Sequence, residues 1–189
     1  VAGSLWSLSL LAYERGRYVE AEPLGQRALE IYEKTFGPEH VVVARALSLL
    51  AELDRARGLY TQAEQLGLRA LAIAEKALGP DHPEAASSLN VLVLLYAEQG
   101  RYAEAEPLGR RALAISERSY GPDHPTVAES LNNLAKVYRA QGLYAEAEPL
   151  CRRSLAIREK VFGMDHPAVA ESLNNLAELL RAQGLNAQA

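Results

Sequence analysis

The chain is poor in the residues that usually carry covalent or redox chemistry: its 189 residues include one cysteine, one methionine and one tryptophan. The lone thiol, Cys151, has no internal disulfide partner. That excludes a disulfide-stapled scaffold and points to a reducing compartment. Long apolar runs are missing too, and stretches such as Val91–Leu95 fall far short of the roughly 20 residues a membrane-crossing helix needs. No basic segment leads into an apolar stretch and cleavage site, so no export signal is read and a cytoplasmic location is expected. Neither sign of charge dominates: 20 Lys and Arg stand against 24 Asp and Glu, a net −4 that leaves no broad cationic surface for nucleic acid. At 49% hydrophobic and 23% charged residues, the remaining composition is that of a globular chain able to bury a sizeable core.

What the sequence has in abundance is itself. Gly16, Gly58, Gly100, Gly142 and Gly184 recur every 42 residues, as do His40, His82, His124 and His166. Pro83–His124 laid on Pro125–His166 matches at more than half of its positions. Such a period signals an array of supersecondary units, each unable to bury its apolar face alone.

Each unit reads as two helices. In Pro125–Ala140, Val127, Ala128, Leu131, Leu134, Ala135 and Tyr138 follow spacings of three and four, one apolar stripe. Gln141-Gly142 interrupts it, with Gly142 placed for the left-handed residue that closes a helix. A second stripe runs through Tyr144, Ala147, Leu150, Ser154, Leu155 and Ile157 to Phe162-Gly163. In the connector Gly163-Met164-Asp165-His166-Pro167, Gly stops one helix, Asp or His caps the next, and Pro suits its first turn. The reading is one all-α array with repeats 1–40, 41–82, 83–124, 125–166 and a partial 167–189, in which Leu185–Ala189 begins a tenth helix. No strand pattern is found. Neither end carries a polar capping helix, so both ends are expected to be covered by further sequence or other molecules.

Ser130-Leu-Asn-Asn-Leu-Ala135, Gln141-Gly-Leu-Tyr-Ala-Glu-Ala-Glu148 and Ser154-Leu-Ala-Ile-Arg-Glu-Lys160 resemble a tetratricopeptide repeat. The 42-residue length and the Gly121-Pro-Asp-His-Pro125 connector resemble the kinesin light chain type. The resemblance implies a right-handed superhelical solenoid of antiparallel pairs, with the first helix of each repeat lining a concave groove for an extended peptide or partner segment. It also implies that Asn at the second place of Leu-Asn-Asn-Leu contacts bound peptide, which carries over to Asn133 and Asn175. Ser7, Leu49 and Val91 break that column. Where the family commonly has Tyr in the second helix, this chain has Gly25, Gly67, Gly109 and Cys151. A mid-helix glycine costs about 1 kcal/mol relative to Ala; closer helix approach is the expected compensation, an unfilled cavity the alternative.

With Leu131, Leu134, Ala135 and Tyr138 turned inward, Glu129, Asn132, Asn133, Lys136 and Arg139 fall towards the groove. The same columns hold Glu171, Asn174, Asn175, Glu178 and Arg181 in the fifth unit, Asn90 in the third, Arg55 in the second and Trp6 in the first. Asn carries a donor and an acceptor that pair with peptide backbone whatever its sequence, and Arg has a fork suited to carboxylates. The candidate groove is therefore Trp6, Arg55, Asn90, Asn132, Asn133, Lys136, Arg139, Asn174, Asn175 and Arg181, its partner a protein or peptide of acidic character. Hydration, or bonding between neighbouring repeats, is the competing role for the Asn residues.

Catalytic readings find no footing. The four His sit one per repeat, on helices about 8–10 Å apart, too far for shared zinc ligation near 2 Å, and are read as caps. Glu104/Glu106 and Glu146/Glu148 point in different directions on their helices. No phosphate loop, dinucleotide fingerprint, HExxH or nucleophile elbow is present. The expectation is a non-catalytic scaffold with no cofactor, metal, nucleic acid or membrane partner. The alternatives are a module that self-associates through its ends, or the regulatory repeats of a larger signalling protein or enzyme.

Overall fold

The computed structural model describes residues 1–184; the tenth helix expected to start at Leu185–Ala189 lies outside them. Among the described residues there are nine helices and no strand: α1 (Ala2–Glu14), α2 (Tyr18–Phe36), α3 (Val41–Ala56), α4 (Tyr60–Leu78), α5 (Pro83–Glu98), α6 (Tyr102–Tyr120), α7 (Pro125–Ala140), α8 (Tyr144–Phe162) and α9 (Pro167–Ala182). Odd-numbered helices are the first of each pair, even-numbered the second. The chain forms two compact units, Val1–Leu95 and the part from Tyr96 onward.

Local chemistry sets the helix boundaries. Gly142 closes α7 at φ +77°, and the Leu143 N–H reaches back to the Tyr138 carbonyl at 2.8 Å, satisfying a helix-end acceptor. The histidines start the first helices. His40, His82, His124 and His166 each accept a hydrogen bond at Nδ1 from the backbone N–H two residues on, at 3.1–3.3 Å. Three of these rings also stack on the last aromatic of the preceding helix: His40 on Phe36 at 4.9 Å, His124 on Tyr120 and His166 on Phe162 at 4.5 Å. Pro23, Pro107 and Pro149 lie inside α2, α6 and α8, which run on through them.

In the first unit the buried core gathers Val43, Leu47, Leu50 and Leu53 of α3 with Leu29 of α2 and Ala70 and Ile73 of α4. Full burial of each large side chain contributes about 1.5–3 kcal/mol. Helix approach depends on the glycines. A Cβ on Gly25 would stand 3.0 Å from Leu50 Cδ2 and from Ser9 Oγ, and one on Gly67 would stand 2.8 Å from Leu92 Cδ2. Close approach is thus the compensation for glycine here. Asp54 is the anomaly in this core, a buried carboxylate whose pKa is raised by burial and by Glu22, against the pull of Arg57.

The second unit packs Leu134, Ala135 and Tyr138 of α7, Cys151 of α8 and Leu176, Leu179 and Leu180 of α9. Tyr138, the register mate of Asp54 two repeats on, donates its hydroxyl to Glu106 at 3.3 Å. Tyr144 packs against this core as the sequence suggested, whereas Tyr60 in the first unit is exposed. Both units carry the same ion-pair clasp between consecutive second helices and their connector. Arg69 holds Glu33 and Lys76 holds Glu39; in the other unit Arg153 holds Glu117 and Lys160 holds Asp123, all at 2.5–2.6 Å. Each exposed pair contributes at most about 1 kcal/mol, so these pairs set register more than stability.

Candidate groove along the first helices

In the second unit α7 and α9 lie side by side and carry most of the residues nominated from sequence. Asn132 and Asn133 are buried, at 3% and 4% exposure, rather than lying on an open surface. Asn132 Nδ2 donates to Ser172 Oγ of α9 at 3.5 Å, so part of this amide ties neighbouring repeats together. Its Oδ1, together with Nδ2 of Asn133 and Nδ2 of Asn175, is shielded from water and has no hydrogen-bond partner. A buried amide group left unmatched costs roughly 1–3 kcal/mol. Asn174 is exposed.

The charged positions divide. Arg139, nominated to hold a carboxylate, already holds one: Glu178 of α9, at 2.8 Å. Lys136 and Arg181 have no ion-pair partner among the described residues. At the opposite end of the same helices Arg158 of α8, nearly buried, donates from Nη1 to the Ala168 carbonyl (2.8 Å), Glu171 (2.9 Å) and Ser172 Oγ (3.1 Å). Sequence reasoning missed this arginine, because the equivalent places in the other repeats hold Tyr32, Ala74 and Ser116. Glu129 reaches water yet is crowded by protein. That desolvation and nearby Glu171 raise its pKa, against Arg158 and Lys136. The second unit's first helices thus present an acidic end, a row of half-satisfied amides and a basic end.

In the first unit a cleft of about 310 Å³ opens along the first helices. Trp6, Leu10 and Leu49 supply its apolar part, and Arg45, Ser48, Glu52, Glu84 and Ser87 its polar part. Arg45 pairs with Glu84 at 2.9 Å, and the hydroxyls of Ser48 and Ser88 meet at 3.3 Å. A second cleft of about 220 Å³ lies beside Trp6, Tyr32, Val42 and Arg45. Trp6 is half-buried, and its indole N–H is shielded without an acceptor. Arg55 leans on Tyr13, whose pKa rises to about 12 through burial and the charge of Glu52, offset by Arg55. Asn90, on α5, is buried.

The groups that invite catalytic readings are engaged otherwise. Glu104 bonds Arg101, which lowers its pKa, and Glu106 holds Arg110 at 2.9 Å as well as the Tyr138 hydroxyl. Burial pushes the Cys151 thiol up to about 11, so it is not an activated nucleophile. Among the described residues no three His, Cys, Asp or Glu side chains gather where they could hold a metal, and no helix is long and apolar enough to cross a membrane.

These features define a helical-repeat protein whose first helices present the chemically varied face. The tetratricopeptide repeat profile matches residues 1–76, 42–118, 90–148 and 126–189, and the chain belongs to that family, whose repeats serve as protein-interaction scaffolds. Among solved structures it is similar to a kinesin light chain-like protein of Podosopora anserina with nearly identical TPR-like repeats. The identity is 29% over 98% of this chain and 87% of that one, with a TM-score of 0.76. The same fold is found in BtubC (BKLC) of P. vanneervenii, at 24% identity, 98% and 74% coverage and a TM-score of 0.78. It is found again in a thermophilic TPR protein of Thermus thermophilus, at 23% identity, 98% and 84% coverage and a TM-score of 0.69. No curated protein matches the chain.

Proposed function

We propose that this chain acts by binding rather than catalysis, holding an extended peptide segment of a partner protein along its first helices. The observation that carries the reading is the row of unmatched amide atoms in the second unit: Asn132 Oδ1, Asn133 Nδ2 and Asn175 Nδ2. An extended backbone offers alternating N–H and C=O groups, the complement these amides lack; because the atoms are shielded from water, a segment meets them only when the Asn side chains turn outward to receive it. Lys136 and Arg181, the cations left over when Arg139 is taken by Glu178, favour an acidic residue in the segment. In the first unit, the Trp6–Leu10–Leu49 wall suits an apolar or aromatic side chain.

The test is a titration of labelled acidic, aromatic-containing peptides, with charge-neutral versions of each, against wild type and the Asn133→Ala/Asn175→Ala double variant. Loss of a backbone bond at each site weakens binding about tenfold or more in total. The acidic versions bind more tightly at low salt, an advantage that shrinks in Lys136→Ala. Equal affinities for wild type and the double variant remove the amide row from the site. Binding that ignores peptide charge removes Lys136 and Arg181.

A further inference from the structure

One amide of the row is tied down by the next first helix. Asn132 of α7 and Ser172 of α9 are both buried, and Asn132 Nδ2 donates to Ser172 Oγ at 3.5 Å. That is longer than the usual span of about 2.7–3.2 Å. The match is also partial. An amide needs an acceptor and a donor, and Asn132 Oδ1 is shielded from water with no hydrogen-bond partner. The two sides of the contact therefore stand unequally. Ser172 Oγ also accepts from Arg158 Nη1 at 3.1 Å, so it stays bonded when Asn132 leaves. Asn132 gives up one long bond by turning outward, and both of its amide atoms then reach water or a ligand. In the first unit the same register brings the hydroxyls of Ser48 and Ser88 together at 3.3 Å, a contact with no amide to release.

We propose that Asn132 is a latch on the peptide site and Ser172 its catch: the amide is held inward in the free protein and swings out to meet the backbone of a bound segment. Arg158 is a positioning residue that keeps Ser172 satisfied while Asn132 is away. The inference rests on the peptide reading above and adds the step that opens the site. It also gives a mutation a direction that a simple contact does not, because removing the catch strengthens binding. With alanine at position 172, inward Asn132 loses its one bond, the outward form prevails, and the cost of opening leaves the binding equilibrium.

The test compares the affinity of a labelled acidic, aromatic-containing peptide for wild type, Ser172→Ala, Asn132→Ala and the double variant. Ser172→Ala is expected to bind about two- to tenfold more tightly, the range one hydrogen bond spans, although its urea midpoint falls. Asn132→Ala binds more weakly, and adding Ser172→Ala to it changes the affinity no further. Ser154→Ala removes another buried hydroxyl bond, the one Ser154 donates to the Ala128 carbonyl at 2.8 Å; it lowers the midpoint and leaves the affinity unchanged. Nuclear magnetic resonance of the Asn132 side-chain amide needs no variant: its protons exchange slowly with solvent in the free protein, and its resonance moves at saturating peptide. Binding by Ser172→Ala no tighter than by wild type overturns the latch and leaves the peptide reading standing. So does an Asn132 resonance that saturating peptide does not move. No binding by any of the four proteins overturns both.

Discussion

Replacing Gly67 with alanine sets two opposing terms against each other, and the structure decides the sign. In the middle of α4, Gly→Ala raises helix propensity by about 1 kcal/mol. The added Cβ, however, would stand 2.8 Å from Leu92 Cδ2 and 3.3 Å from Cγ, where carbon atoms normally rest about 3.5–4.0 Å apart. Leu92 is fully buried, and interiors are packed closely enough that moving its Cδ2 aside displaces further neighbours. Overfilling of this kind costs about 1–3 kcal/mol, so Gly67→Ala is expected to destabilise by up to about 2 kcal/mol net. Urea unfolding followed by far-UV circular dichroism reads the shift in midpoint, and a double-mutant cycle isolates its cause. Leu92→Ala alone costs about 2–5 kcal/mol, but in its background Gly67→Ala has lost its clash and becomes stabilising by about 1 kcal/mol. The sign reversal is the diagnostic. A Gly67→Ala protein that unfolds at higher urea than wild type, with Leu92 intact, refutes the reasoning.

Asp54→Asn is expected to raise the urea midpoint at pH 7. Asp54's pKa is raised in the fold, so wild type loses this group's contribution as pH climbs above the ordinary Asp value of about 4, and a comparison of midpoints at pH 4 and 7 shows the variant without that decline. His124→Ala removes the cap on Thr126 N–H and the stack on Tyr120 and costs about 1–2 kcal/mol in chemical denaturation. His124→Asn keeps a capping acceptor and loses less. The Cys151 thiol, with its pKa near 11, is about 0.1% ionised at pH 8. Its reaction with a disulfide reagent is therefore expected to be at least a hundredfold slower than that of the urea-unfolded chain; comparable rates would place the thiol outside the core.

The helices and their joints were legible because local chemistry writes them. The Gly142 turn, the His caps and the three-and-four stripes of α7 depend on residues within one turn of each other. The groove was only half legible, because its polar residues are decided by partners nearly a full period away. Arg45 meets Glu84 and Arg139 meets Glu178, both 39 residues on; Ser48 meets Ser88 and Asn132 meets Ser172, both 40 on. The register between neighbouring first helices is thus the repeat length less two or three. That offset gives a signal the columns alone did not. A groove residue whose counterpart 39 or 40 places on is complementary is spent on stacking, whatever its chemistry, as Arg139 is. Lys136 finds Asn175 and Leu176 there, neither an acid, and so gains no ion-pair partner from the next repeat. On the proposed function, specificity in such an array resides in mismatches between consecutive repeats, and Asn175→Glu is expected to weaken the binding of acidic peptides by giving Lys136 a partner of its own.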